Sequence, residues 1–500
     1  MAEISKAGDA SEAFDLCIIG AGIAGLNALY VAQQYLPKGA RVALIDRNKT
    51  CGGMWNAAYD FVRLHQPHPM FTTGDVKWRW NRPKRYLASR TEIQDHLAHC
   101  RDVSRTGIEL VELYEHDAES WKEVLTDDGP RARVRIRPLG GSTPTRTLTA
   151  KHLINAIGLD IPVSGPMPLS SSKVLSTAPH KLSEALARNP GKKVYVVGGG
   201  KTGMDTVTAL LDRGATGGIT LINGKGTMFA NRDFSFPIGA RRWWQGKPLL
   251  AIFRDTALRF DGTNEEEVYD HYRSAYTIGP NPKGEQFFFG LLSPEELDRI
   301  LDGIDDQIGD YLEDVVDTDS GPQLVLRSGE RRPVEPGTIF VNCTGLVARH
   351  DTPAADLLSE HGAIMTISPR AAVHFLTSVS AYFLTHLLYL GWLPETRLFI
   401  LDQNALLKKG RKIWHIAAIT HSYLNTVILL NALPFRVLDR CGLDFDRWFP
   451  LPRRLAVLVT VKSNSKRDLA HCERSLALVS ELHGITCAPR QELNPPLAPQ

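Results

Sequence analysis

Residues 14–46 read FDLCIIGAGIAGLNALYVAQQYLPKGARVALID. The apolar run at 14–19 stops at a glycine and has the length of a buried parallel strand. Gly20-Ala21-Gly22-Ile23-Ala24-Gly25 then opens an apolar stretch of helical length. After a turn at Pro37–Gly39, a second strand, Arg41–Ile45, ends in Asp46. Glycines at this spacing permit a tight turn, close approach of backbone to a pyrophosphate, and helix–strand packing. The helix N-terminus favours the phosphates, and the acid accepts from a ribose hydroxyl. Asp46 stands 21 residues after Gly25, against about 20 in the general pattern. The stretch predicts a βαβ dinucleotide site with Gly20, Gly22, Gly25 and Asp46 as its binding residues.

The pattern returns at residue 193. Lys193–Val197 is a strand, Gly198-Gly199-Gly200-Lys201-Thr202-Gly203 is a glycine turn, and MDTVTALLDRG and Ile219–Ile222 supply the helix and second strand. Gly198, Gly200, Lys201, Thr202 and Gly203 are the expected phosphate-binding residues. The position matching Asp46 is Asn223, followed by Lys225 and Arg232. A carboxylate here would repel a 2′-phosphate, whereas a neutral residue with nearby cations accepts one. An acidic first site and a basic second one together indicate FAD and NADPH.

The intervening segments predict a nested α/β architecture. Lys151–Gly158 and Thr338–Gly345 are apolar strands ending in glycine, each expected to cross between domains. The chain therefore reads as two Rossmann-like dinucleotide-binding domains, the NADPH domain inserted in the FAD domain, with a helical C-terminal region. The boundaries are 1–165 for the first part of the FAD domain, 166–335 for the NADPH domain with a helical insertion at about 230–315, and 336–365 for the return. A helical cap at 366–490 and a flexible tail at 491–500 follow. Residues 131–150 read as a β-hairpin with an arginine-rich solvated face.

Composition narrows the class. Charge nearly cancels, at 58 Lys and Arg against 55 Asp and Glu, and the hydrophobic fraction of 43% suits large cores; a nucleic-acid partner is not implied. Seven cysteines are scattered with no CxxC, which excludes a disulfide scaffold or zinc ribbon and fits the cytoplasm. The polar N-terminus is not a signal peptide. Ser89-Arg-Thr-Glu92 is a capping box opening an amphipathic helix, so His96 and His99 read as structural and no metal site is expected.

The ordered motifs resemble those of class B flavin-dependent monooxygenases. Cys51-Gly52-Gly53-Met54-Trp55 is similar to the family's GGxW segment. Tyr59-Asp-Phe-Val-Arg-Leu-His65-Gln66-Pro67 is similar to a run in plant indole-pyruvate monooxygenases, and Gly198–Asp205 to the family's NADPH turn. Asn155–Gly158 and Asn342–Gly345 resemble its two domain crossings. The FxGxxxH signature falls at Val174–His180, where only the histidine remains. Phe229-Ala-Asn-Arg-Asp-Phe234 with the insertion after it, and Thr420-His-Ser-Tyr-Leu-Asn425-Thr, resemble segments of ornithine- and lysine-type N-hydroxylases.

The resemblance implies an NADPH-dependent monooxygenase that passes one oxygen atom of O2, through a C4a-hydroperoxyflavin, to a small apolar or amine-bearing substrate. It favours nitrogen or another heteroatom as the acceptor. Gly53, Met54, Trp55, His65 and Gly345 join the cofactor-binding set, and Gln66 and Asn425 are the expected residues at the oxygenation site. The alternatives are a flavin-dependent reductase or oxidase, a Baeyer–Villiger enzyme, and a non-catalytic flavin sensor.

No charged residue occurs at 371–394 or 413–435. These spans are expected to be buried helices or helices roofing the flavin, with a membrane-touching face or true transmembrane spans as the alternatives. Leu401–Arg411 reads as a solvated connection between them.

Overall fold

The computed structural model describes residues 12–140, 144–158, 163–215, 218–345 and 355–493. Its first sheet is built from β1 (Glu12–Ile19), β2 (Arg41–Ile45), β3 (Glu109–Leu113), β4 (His116–Thr126), β5 (Gly129–Pro138) and β6 (Arg146–Asn155), in the order β3-β2-β1-β6-β5-β4. α1 (Ile23–Ala32) links β1 to β2, which are parallel, with Leu16 opposite Val42 and Ile19 opposite Ile45. α2 (Arg90–Ser104) begins with the expected capping box: Ser89 and Glu92 exchange side-chain and backbone hydrogen bonds, and Ile93 and Leu97 are buried. β6 lies parallel to β1 along one edge and shares its other edge between two partners. Its first half closes the antiparallel hairpin with β5, and its second half lies parallel to a late strand, Ile364–Thr366.

The second unit lies between β6 and that late strand. It contains β7 (Leu175–Thr177), α3 (Leu182–Arg188), β8 (Val194–Val197), α4 (Lys201–Asp212) and β9 (Ile219–Ile222). Next come β10 (Thr227–Asn231), α5 (Arg232–Ser235), α6 (Leu249–Arg259), α7 (Glu265–Tyr276), β11 (Thr277–Ile278), β12 (Gln286–Leu292), α8 (Pro294–Gly303) and β13 (Asp306–Ile308). β14 (Leu312–Thr318), β15 (Gly321–Leu326) and β16 (Arg331–Pro333) form a small antiparallel sheet, and β17 (Ile339–Asn342) ends the unit. The main sheet is parallel, in the order β13-β9-β8-β17-β7.

Two sequence expectations are corrected here. Residues 230–315 are not a purely helical insertion, because β11 and β12 lie within them and form a sheet with β10. Nor does the chain return to the first unit at 336, because β17 pairs with β7 and β8 of the second sheet.

The C-terminal part begins with β18 (Ile364–Thr366) and α9 (Thr377–Tyr389). β19 (Phe399–Leu401), α10 (Gln403–Lys409), α11 (Arg411–Ala432), α12 (Phe435–Asp439), α13 (Leu451–His483) and β20 (Cys487–Pro489) complete it. It is not one cap. Ala381, Leu384 and Leu387 of α9 share a core with Leu26 and Leu29 of α1, so α9 is a layer of the first unit. α11 and α13 instead share a core with Phe253 of α6 and Tyr269 of α7. The helical unit is thus assembled from two distant chain segments.

That assembly explains why α11 is so apolar. It is long and apolar enough to cross a membrane, yet 89% of its most apolar window is buried inside the protein. Leu401–Arg411 is likewise no solvated linker, since it holds the end of β19 and α10, with Gln403, Asn404 and Leu406 buried. Of the tail expected at 491–500, residues 494–500 lie outside the described residues, and 491–493 continue a short helical turn.

Candidate functional site

At the end of β1 the chain must turn sharply, and Gly20 does so with a φ of +99°. Gly25 is packing rather than cradle: a Cβ there would lie 1.8 Å from the Gly20 carbonyl oxygen. Gly22 faces Gly53, whose Cβ would come within 2.8 Å of the Gly22 Cα. The two backbones therefore meet bare at the N-terminus of α1, a cradle that a side chain would fill. Asp46 is buried at the end of β2. Its carboxylate accepts from the Ala21 N–H at 2.6 Å and from the Asn48 backbone and side chain, both at 2.8 Å.

The second turn repeats this geometry. Gly198 has a φ of +116°, and a Cβ on Gly203 would lie 2.0 Å from the Gly198 carbonyl oxygen. A Cβ on Gly200 would meet nothing within 4 Å, leaving the N-terminus of α4 open. Asn223, the counterpart of Asp46, is buried at the end of β9, and neither its amide oxygen nor its nitrogen has a partner. Asn223 lines the cavity described below, so both ends of its amide are free to bind a ligand there.

Both turns open on one cavity of about 1410 Å³. Gly20, Gly22, Asp46, Gly53, Met54, Trp55, His65, Gln66, Gly198, Gly200, Lys201, Thr202 and Gly345 all line it. His180 also reaches it, from the exposed turn after β7. Gln66 is buried with its side-chain oxygen unpartnered. His65 accepts the Leu291 N–H at Nδ1, 3.0 Å away, which puts the proton of the neutral ring on Nε2. Burial, then the charges of Lys201 and Arg232, hold its pKa down to about 3. Tyr59 donates to Asp205 at 2.8 Å, and Asp205 also pairs with Lys201. Burial and then the Asp205 charge push the Tyr59 phenol above its ordinary pKa.

Besides Gly25 and Gly203, which pack against the turns, three expected site residues are placed away from the cavity. Arg232 is buried and spent on the protein itself: Nε donates to the His65 carbonyl at 2.6 Å and the guanidinium pairs with Glu296 at 2.7 Å. Lys225 pairs with Glu285 at 3.0 Å on the surface. Neither lines the cavity. Asn425 is fully buried in α11. Its amide nitrogen donates to the Val373 and Phe399 carbonyls at 2.7 and 2.9 Å, and its oxygen accepts the Phe399 N–H at 2.9 Å. It ties β19 to α11 and does not reach the cavity.

Other residues are supplied by segments that no local motif marks. Tyr311 and Arg327 line the cavity beside Gly224, with the guanidinium 4.3 Å from the ring centroid. Phe253, Phe289, Phe375 and Trp414 form an aromatic wing. The Phe289 and Phe375 rings stack at 4.5 Å. Phe289 has a φ of +57°, a strained backbone for an aromatic residue, where β12 slips register against β10. Gln403 also lines the cavity, and its buried side-chain nitrogen is unpartnered. Among the described residues no group of His, Cys, Asp or Glu is arranged to hold a metal ion.

Residues 14–240 match the family model for pyridine nucleotide-disulphide oxidoreductases. A solved steroid monooxygenase bound to NADP is similar in structure, with a TM-score of 0.50 at 14% identity over 91% of this chain and 99% of that one. The chain has the fold of the two-dinucleotide-domain flavoprotein monooxygenases. An ornithine N-hydroxylase of Kutzneria sp. 744 gives a TM-score of 0.45 at 12% identity, over 77% of this chain and 98% of that one. An uncharacterized protein of Mycobacterium tuberculosis is 27% identical over 350 residues, 66% of this chain. The chain spans about 60% of the length of that curated relative.

Proposed function

We propose that this chain is an FAD- and NADPH-dependent monooxygenase that transfers one oxygen atom of O2 to a heteroatom, nitrogen included, of a small apolar substrate. One observation carries the reading: two glycine cradles, one ending at an acid and the other at an unpartnered amide, face the same cavity beside an aromatic wing. When bound, the flavin supplies hydride acceptance and oxygen activation.

The chain's own residues bind, orient and exclude water. Gly22, Gly53 and Asp46 suit FAD; Gly200, Asn223 and Arg327 suit the phosphorylated ribose of NADPH. Arg327 replaces Lys225 and Arg232 in that role. Gln66 offers a carbonyl oxygen with no other partner, and His65 a fixed Nε2–H donor. His65 stays neutral at ordinary pH because its pKa lies near 3. The aromatic wing keeps water away from the reacting atoms. All seven cysteines are buried free thiols, so no protein disulfide receives the electrons, and we place the protein in the cytoplasm.

The test is NADPH consumption across a panel of apolar amines and thioethers, with peroxide measured alongside. Coupled turnover gives oxygenated product and suppresses peroxide as substrate is added. Stoichiometric peroxide with every substrate would instead make the protein an oxidase. Gln66→Ala should raise the peroxide fraction severalfold with the rate of reduction by NADPH unchanged; an unaltered fraction removes Gln66 from the oxygenation site.

A further inference from the structure

One end of α13 is dressed unlike the rest of the surface. Leu451, Leu455 and Val459, at i, i+4 and i+8, are all exposed, Val459 by 63%, and so form an apolar stripe with no partner. Two flanking segments add exposed apolar groups. Trp243 and Trp244 are 56% and 65% exposed, Ile238 precedes them, and Phe435 begins α12.

These segments are joined physically. Arg453, in the first turn of α13, donates to the carbonyls of Arg242, Gln245 and Gly246 at 2.7–3.0 Å. Arg454 pairs with Asp439 at the end of α12. The apolar groups thus surround one helix end rather than being scattered.

The charge around them is one-sided. Residues 238–247 and 435–467 carry eleven Lys and Arg against three Asp, a net +8, whereas the whole chain carries +3. The remainder is therefore net −5. All three acids are engaged: Asp439 and Asp444 pair with Arg454, and Asp446 accepts from the backbone of Leu249. Of the cations, Lys247, Arg440 and Arg467 pair with acids outside these stretches, Asp255, Asp75 and Asp468, and the rest leave the face cationic. Arg241, Arg436, Lys462 and Lys466 are exposed.

We propose that this face docks on an anionic lipid surface. Tryptophans and aliphatic groups ringed by arginine and lysine match a bilayer interface, where apolar groups enter the headgroup boundary and cations meet lipid phosphates. A second copy of the chain is the poorer occupant, since a symmetric contact would press one cationic face against another. Nucleic acid would satisfy the cations but leave the leucines, valine and phenylalanine without partners. The face also adjoins the cavity, whose walls include Lys247, Leu249, Leu443 and Phe445 from these same stretches or the residues beside them. A lipophilic substrate held in the membrane would thus meet the protein beside its own pocket. The membrane-facing groups lie here and not on α11, which the helical core encloses.

The test is co-sedimentation of the full-length flavoprotein with vesicles of phosphatidylcholine containing a quarter phosphatidylglycerol, compared with pure phosphatidylcholine. Binding is expected to the anionic vesicles and to weaken as salt is raised. Trp243→Ser with Trp244→Ser, and separately Arg241→Glu with Arg436→Glu, should each lower partition about tenfold or more. Leu125→Ser, at an exposed position on β4, should leave it unchanged. Thermal melting matched to wild type excludes misfolding, and NADPH oxidation in detergent-free buffer, read separately, should not change. Equal binding to both vesicle types overturns the proposal, as does partition insensitive to both double variants. So does a stable dimer, or binding to a nucleic-acid duplex in preference to vesicles, that the tryptophan variant abolishes.

Discussion

Replacing Asn223 by Asp should turn the coenzyme preference towards NADH. The substitution is nearly isosteric, and the first unit shows that a carboxylate fits such a position: Asp46 accepts the Ala21 N–H there. Asn223 has no side-chain hydrogen bond for the change to break, and thermal melting beside wild type checks the fold. The cost falls on the 2′-phosphate. Two unit charges about 4 Å apart repel by ~4 kcal/mol at an effective dielectric of about 20. Solvent and salt at the cavity mouth reduce this to roughly 2–3 kcal/mol, or about 30- to 150-fold in kcat/KM for NADPH. NADH lacks that phosphate, and its ribose hydroxyls can donate to the new carboxylate, so its kcat/KM should hold or rise. The assay is the rate of flavin reduction under anaerobic conditions at a series of coenzyme concentrations. Arg327→Ala should weaken NADPH about tenfold, the value of one charge-assisted hydrogen bond, with NADH unaffected. If Asn223→Asp is folded and flavin-loaded yet keeps the wild-type NADPH/NADH ratio, the end of β9 does not hold the phosphorylated ribose.

Gly22→Val should be purified without flavin, because its side chain would enter the bare junction with Gly53; a flavin content equal to wild type refutes the cradle. Asn425→Ala leaves the Phe399 N–H and the Val373 carbonyl unpaired in the core, while the Phe399 carbonyl keeps the His421 ring as a partner. It should cost roughly 2–4 kcal/mol of stability in a urea titration, with flavin content and the KM for NADPH unchanged. Loss of turnover without loss of stability would return Asn425 to the reaction site. Acid should destabilise the protein early. His96, His374 and His415 have pKa values pushed down by burial to about 3, and His421 to about 4. The unfolded chain therefore binds more protons once the pH falls below about 6.5, and each such histidine costs roughly 2 kcal/mol of stability at pH 5. The urea midpoint should fall steeply between pH 6.5 and 5; a flat profile over that range contradicts the burial of these rings as neutral groups.

Both βαβ units were legible because their physics is local. A glycine that must adopt a positive φ, a helix N-terminus and an acid or amide at the next strand end all lie within about 35 residues. The capping box at Ser89–Glu92 was legible for the same reason. What escaped were choices made by distant partners. Nothing near Arg232 announces that Glu296 and the His65 carbonyl will claim its guanidinium. Nothing near Asn425 announces that β19 will be laid across α11. The charge-free runs at 371–394 and 413–435 were ambiguous in the same way. A helix apolar on all sides is equally suited to a bilayer and to the centre of a protein, and only the packing of α6, α7 and α13 around α11 decides between them.

The loop from Tyr59 to Gln66 shows what the nesting of the two units accomplishes. By sequence it belongs to the first unit, yet the second holds it at three points: Asp205 accepts from Tyr59, Leu291 donates to the His65 ring, and Arg232 donates to the His65 carbonyl. Gln66 follows immediately, and its unpartnered oxygen can be no better positioned than this loop. The two cradles are therefore not independent modules sharing a cleft. Lys201 stands at the N-terminus of α4, where a coenzyme pyrophosphate would be received, and it pairs with the same Asp205 that Tyr59 touches. A phosphate drawing on Lys201 would loosen that ion pair and leave Asp205 more fully to Tyr59. Occupancy of the second cradle would thereby tighten the loop that carries Gln66 in the first.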